Sequence, residues 1–114
     1  MSSGYIYLRF HKSYRLPIIT VIKLGGTLYP VERESTYKTG EPEKGNYLKI
    51  FKVDDWETVE ALLQDEFKEY HYNGTGGKEF YYFEIIHKIE DTLENLEISF
   101  ECVDISEINK ECRK

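Results

Sequence analysis

This 114-residue sequence is poor in the residues that staple small folds or hold structural metals. It has two cysteines, Cys102 and Cys112, both near the C-terminus, where a bridge would close only a short terminal loop. They lack the Cys-x-x-Cys spacing of a zinc knuckle and read as reduced thiols. The three histidines, His11, His71 and His87, are too scattered to form a zinc set. No apolar run approaches the ~18 residues that a membrane span needs. The polar start Met1-Ser2-Ser3 leads into no signal-peptide hydrophobic region. These absences predict an intracellular protein, cytoplasmic or nuclear, without membrane contact. There is no internal repeat. The glycine-rich run Asn73-Gly74-Thr75-Gly76-Gly77 lacks the Gly-x-x-x-x-Gly-Lys pattern and the preceding apolar strand of a phosphate-binding loop.

The composition that remains, 40% hydrophobic and 32% charged, describes a soluble globular chain of the size of one domain. The net charge of −6 hides an uneven distribution. Residues 1–53 carry nine Lys/Arg against four Asp/Glu, a balance of +5; residues 54–114 carry six against seventeen, a balance of −11. Nucleic acid rewards a local basic surface and not a basic average. The N-terminal half is therefore the half suited to meet DNA, unless the acidic half is ordinary solvated helix surface and the segregation is chance.

Residues 4–10 alternate, with Ile6, Leu8 and Phe10 on one face and Tyr5, Tyr7 and Arg9 on the other, the period of a half-buried strand. The β-branched run 18–24 predicts a second strand, after a polar loop from His11 to Pro17. Pro30 suits the first turn of a short helix, and Gly40 its C-terminal stop. Residues 47–53 predict an edge strand, given their two lysines. Asp54-Asp55 offers an aspartate cap to a helix bearing Trp56, Val59, Leu63, Phe67 and Tyr70. Residues 79–83 form a short aromatic strand or a helix start. A third helix follows with Ile86, Ile89, Leu93 and Leu96. Ile98, Phe100 and Cys102 alternate like a strand, and the last ten residues are polar. The order predicts an α+β fold, a small antiparallel β-sheet flanked by helices. It is one domain over 1–114, with a core of about 4–96 and a C-terminal extension over 97–114.

Strand geometry gathers a set of reactive groups. With Ile6, Leu8 and Phe10 inward, Tyr5, Tyr7 and Arg9 face outward, and antiparallel pairing can bring Lys23 within reach of Tyr7. Arg33 and Tyr37, four apart, share one helix face. Glu79 follows the glycine-rich loop, which lets its carboxylate swing toward the same cleft. A phenol, an ammonium, a guanidinium and a carboxylate on one surface suit phosphodiester hydrolysis. Glu79 can hold a hard cation, Mg²⁺ or Mn²⁺, which neutralises the phosphate and stabilises the departing oxygen. Arg33 can clamp the non-bridging oxygens. Tyr7 is the candidate base; a free phenol titrates near ~10, and the charge of Lys23 would help it ionise. His11, Lys12, Tyr14 and Arg15 form a candidate strand-tracking patch in the first loop, and Tyr5 and Arg9 join them as substrate-facing groups.

The same residues carry a family resemblance. Gly4-Tyr5-Ile6-Tyr7, Ile22-Lys23-Leu24-Gly25-Gly26-Thr27, Pro30, Arg33, Thr39-Gly40-Glu41-Pro42 and Glu79-Phe80 follow in the order and spacing of the GIY-YIG nucleases. Lys23 to Arg33 is ten positions and Arg33 to Glu79 is 46. The pattern is most similar to the viral and phage branch, in which the second signature half reads Lys-Ile-Gly. The resemblance spans roughly 4–85. It implies a small antiparallel sheet with helices packed on it, metal-dependent DNA endonuclease activity, and products with 5′-phosphate and 3′-hydroxyl ends. Three positions depart from the pattern. Lys23 replaces the second signature tyrosine, Tyr37 stands where other branches often have histidine, and the first loop is several residues longer. Glu60 and Gln64 lie where the family often has Glu and His, and Glu60 is expected to make a structural hydrogen bond.

Each residue alone has an ordinary reading: a sheet tyrosine, a strand-edge lysine, a helix-surface arginine, one of seventeen acidic residues. Two other functions stay open. The domain can be a catalytically weak or inactive nucleic-acid binder, or a protein-interaction module whose acidic half meets a basic partner. No zinc finger or helix-turn-helix follows residue 85, so the sequence names no DNA target; a further specificity subunit or partner protein and the oligomeric state stay open.

Overall fold

A computed structural model describes residues 3–11, 14–15, 19–33, 45–72 and 80–112. Five strands form one antiparallel sheet: β1 (Gly4–Phe10), β2 (Val21–Thr27), β3 (Asn46–Val53), β4 (Phe80–Tyr82) and β5 (Phe100–Cys102), in spatial order β4-β2-β1-β3-β5. Among the described residues four helical segments accompany it: α1 (30–33), α2 (Trp56–Glu66), α3 (Ile89–Asn95) and α4 (Ile105–Cys112). Short 3₁₀ turns at Lys68–Tyr70 and Phe83–His87 follow α2 and lead into α3. This is the expected α+β class.

The alternation of β1 places its apolar set as the sequence predicts. Ile6 and Leu8 are buried with Ile22, Leu24, Phe51, Val59, Leu63, Ile85, Ile89 and Leu93, so α2 and α3 cover one face of the sheet. Fully burying each such aliphatic side chain contributes about 1.5–3 kcal/mol. Trp56 and Tyr70 pack at the margin of this core.

The second face differs from expectation. Tyr7 is 1% exposed and Arg9 0%, where both are expected to face outward. The reason is a second, smaller core. Tyr7, Tyr47 and Ile50 are covered by Val31 of α1 and by Val103, Ile105 and Ile108. The segment beyond residue 97 is thus a strand and a helix packed on the sheet, and it closes this face.

Three local expectations are corrected. Strand β3 is interior, because β5 pairs with it through Phe51↔Cys102 and Val53↔Phe100. Its lysines are accommodated within the sheet: Lys52 is exposed between Tyr5 and Glu101, and Lys49 pairs with Glu90 at 3.2 Å. The N-cap of α2, Asp55, sits in the left-handed region at φ 49° and makes no side-chain cap bond. The second strand runs over 21–27, three residues later than the β-branched run suggests. Gly40, the expected stop of the first helix, lies outside the described residues.

Candidate functional site

The site is built where β1 and β2 pair. Their register is Tyr5↔Thr27, Tyr7↔Gly25 and Arg9↔Lys23. Directly paired residues share a face, so Tyr7, Gly25 and Lys23 do lie on one side, as expected. The residue opposite Tyr7, however, is Gly25 and not Lys23. That glycine is a seat for the phenol: a Cβ at position 25 would lie 2.5 Å from Tyr7 Oη and 2.7 Å from Cζ. The other side of the ring meets Tyr47 edge-on, with centroids 5.2 Å apart.

Arg33 reaches the hydroxyl of this seated tyrosine. Its Nε donates to Tyr7 Oη at 3.5 Å, a long contact. In this contact the phenol oxygen is the acceptor, through one of its lone pairs. The backbone that carries Arg33 is held twice. Arg33 N–H donates to the Tyr29 carbonyl at 2.9 Å, which starts α1, and Pro30 occupies its first turn. The Pro30 carbonyl accepts a 2.6 Å bond from Tyr47 Oη. Tyr47 is pinned in turn by Asn109, whose Oδ1 accepts from Tyr47 N–H at 2.9 Å and whose Nδ2 donates to the Tyr47 carbonyl at 3.0 Å.

Lys23 lies on the Tyr7 side of the sheet, two residues along β2 from Gly25. Its Nζ lies 5.0 Å from the centroid of the Phe80 ring, on the residue it pairs with in β4. Arg33 supplies a cation at the Tyr7 hydroxyl, while Lys23 stands directly opposite Arg9 in the register of the hairpin.

The other expected substrate-facing residues divide. Arg9 is buried, donates from Nη1 to Tyr14 Oη at 2.7 Å, and lies where a Cβ on Gly45 would be 2.5 Å from Nη2. His11 is 3% exposed with its ring against Tyr14. The first loop thus folds its aromatic residues inward to serve the Arg9 guanidinium. Arg15 is exposed, with its guanidinium 5.8 Å from the Phe10 ring. Tyr5 is half-buried at the rim of the second core. Lys12, Tyr37 and Glu79 lie outside the described residues.

A groove of about 450 Å³ opens beside Arg33, lined by Gly26, Thr27, Leu28, Tyr29, Arg33, Trp56 and Glu60. Trp56 lies flat enough on the sheet that a Cβ on Gly26 would be 2.5 Å from its Cε3, and the same Cβ would be 3.4 Å from Glu60 Oε1. The groove residues Leu28 and Tyr29 carry no motif, and only their solvent exposure in the fold brings them to notice. Part of the acidic half falls elsewhere: Glu57, Asp65, Glu66, Asp91 and Glu94 are exposed on α2 and α3, the layer covering the opposite face from Tyr7.

Two polar clusters among the described residues have shifted titration: Asp104, held down by hydrogen bonds from the Ser106 hydroxyl and N–H, and Lys49–Glu90–Cys102. The Glu90 carboxylate accepts from Cys102 Sγ at 3.3 Å and from Lys49 at 3.2 Å. The thiol's hydrogen bond and the ammonium hold it below the usual carboxylate range. Burial pushes the Cys102 thiol up, reinforced by the same carboxylate. Among the described residues no group of three or more His, Cys, Asp or Glu can hold a metal. No helix among them is long and apolar enough to cross a membrane.

The fold is a small antiparallel α+β domain in which a tyrosine is seated on a strand glycine beside an arginine. The T5orf172 domain profile matches residues 4–99, and the chain belongs to this phage-associated, nuclease-related family. No curated protein and no solved structure matches it.

Proposed function

We propose that the protein is a divalent-metal-dependent endonuclease of the GIY-YIG type that hydrolyses DNA phosphodiester bonds. The observation that carries the reading is the seating of Tyr7 on Gly25 with Arg33 Nε at 3.5 Å from its hydroxyl. In this reading Tyr7 accepts the proton of the attacking water. The Arg33 guanidinium favours the phenolate so formed, since a cation beside a phenol stabilises its charged form. The remaining guanidinium N–H groups face the non-bridging oxygens of the phosphate as charge builds on them. The long ground-state contact is compatible with that role, because catalytic hydrogen bonds in the free enzyme often tighten only on substrate.

Glu79 is assigned the metal. A cation such as Mg²⁺ needs only one or two protein carboxylates and completes its sphere with water, so a single glutamate is a sufficient protein donor. When bound, it supplies Lewis-acid stabilisation to the leaving oxygen. Lys23, opposite Arg9 and over Phe80, is assigned to binding the DNA backbone, together with exposed Arg15.

Plasmid DNA with Mg²⁺ or Mn²⁺, followed by mapping of the product ends, tests the proposal. Arg33→Ala should lower the rate by roughly 10²–10³, and Glu79→Gln should abolish cleavage with the fold intact. Full activity in either variant sinks the site assignment. One observation favours a second reading. Tyr7 is only 1% exposed, which suits a packed structural phenol in a domain that binds nucleic acid without cutting it. Gel shifts with no cleavage under any divalent metal would establish that alternative.

A further inference from the structure

The bend between β2 and α1 presents Leu28 at 41% and Tyr29 at 63% exposure, two neighbouring large apolar side chains held out to solvent. Tyr29 is not on a slack loop. Its N–H donates to Thr27 Oγ1 at 3.2 Å, and its carbonyl accepts the Arg33 N–H at 2.9 Å. The backbone is fixed at both its polar groups while the ring stays outside. An anchored exposed aromatic is the form that stacking platforms for nucleic acid bases take.

The chemistry of the adjoining groove narrows the occupant. Its lining combines the Arg33 cation and the Glu60 carboxylate with Leu28, Tyr29 and Trp56. A second phosphate would meet the carboxylate and be repelled. A neutral, flat group attached to a phosphate at Arg33 would find aromatic surface in Tyr29 and Trp56 and an acceptor in Glu60. We propose that Tyr29 stacks on an unpaired nucleobase flanking the phosphate held at Arg33. The preferred DNA is therefore one with an unstacked base at that place: a single strand, a flap or a gap. This rests on the nucleic-acid reading above and deepens it.

Binding is measured by fluorescence anisotropy in EDTA, so that cleavage does not intervene, on a labelled single-stranded oligonucleotide and on its abasic analogue. Wild-type protein should bind the base-bearing strand more tightly than the abasic one. Tyr29→Ala should lose about 5- to 150-fold in affinity for the base-bearing strand, the range for one base–aromatic stack, with no loss on the abasic strand. Tyr29→Phe and Tyr29→Trp should restore it. Equal loss on both strands would assign Tyr29 to backbone contact or to local folding and overturn the proposal. So would unchanged affinity in Tyr29→Ala, or the absence of binding by wild type. The two readings fail separately. Tyr29-dependent binding without cleavage under Mg²⁺ or Mn²⁺ leaves stacking standing and removes the nuclease. Cleavage with no dependence on residue 29 does the reverse.

Discussion

Gly25→Ala isolates the seat beneath Tyr7. The added Cβ would stand 2.5 Å from Tyr7 Oη, and ordinary contact begins at 3.4 Å, so the hydroxyl must retreat by about 0.9 Å. It has little room, because the ring is also held against Tyr47 at 5.2 Å in a buried cluster. Forcing extra volume into a packed site costs about 1–3 kcal/mol. Replacing glycine within a strand returns about 0.5–1 kcal/mol of backbone entropy. The net destabilisation should be about 0–2.5 kcal/mol, which urea unfolding resolves. The functional effect should be larger, because a misplacement of about 1 Å in a catalytic group costs roughly 10²-fold. Ile89→Val is the matched control. It lies on α3, across the sheet from Tyr7, and loses about 0.5–1.5 kcal/mol by removal of a buried methyl. At equal folded concentration, Gly25→Ala should cleave about a hundredfold more slowly while Ile89→Val cleaves like wild type. Wild-type cleavage by Gly25→Ala would refute the reasoning, since the phenol would then have moved without consequence.

Tyr7→Phe keeps the ring's packing and deletes the proposed base, so it should be folded and nearly inactive; a wild-type rate and pH profile would make Tyr7 a packing residue only. Tyr14→Phe removes an acceptor from the buried Arg9 guanidinium and should cost about 1–3 kcal/mol in denaturant unfolding; an unchanged midpoint would show that its other contacts suffice. Glu90 has its carboxyl held down by Cys102 and Lys49, so the stability it adds is present above the unfolded value and is lost as pH falls through the lower folded one. Glu90→Gln should therefore flatten the acid side of the stability curve. The Cys102 thiol, pushed up first by burial and then by Glu90, should react slowly with thiol reagents near pH 8. Glu90→Gln should speed it only in part, because the burial remains.

The main core was legible because its residues obey simple periods. Ile6 and Leu8 alternate, and Val59, Leu63, Ile89 and Leu93 recur at helical spacing, as the buried cluster bears out. The second face was not legible from β1, because alternation says which residues share a side and not whether that side is wet. What covers it lies far along the chain, in Val103, Ile105 and Ile108. Their spacing was readable, but polar neighbours such as Glu107 and Lys110 masked it. The same blindness put β3 at an edge: the alternation of Ile98, Phe100 and Cys102 suggests a strand but not that it pairs with β3. At the site, Tyr7 and Arg33 were found by spacing and chemistry and are adjacent in the fold. For Lys23 the alternation fixed its face, and the register, which sequence did not reveal, sets it directly opposite Arg9.

The Asn109 side chain has a consequence for how the protein should be handled. With its amide oxygen and nitrogen bound to the two backbone polar groups of Tyr47, it imitates a neighbouring strand beyond the reach of β5. Through the Tyr47 hydroxyl, that clamp fixes Pro30 and the turn bearing Arg33. Family similarity ends at residue 99, ten residues short of this amide. The boundary of recognisable ancestry and the boundary of mechanical support do not coincide. A fragment trimmed to the matched span would keep every signature residue and lose the brace under its arginine.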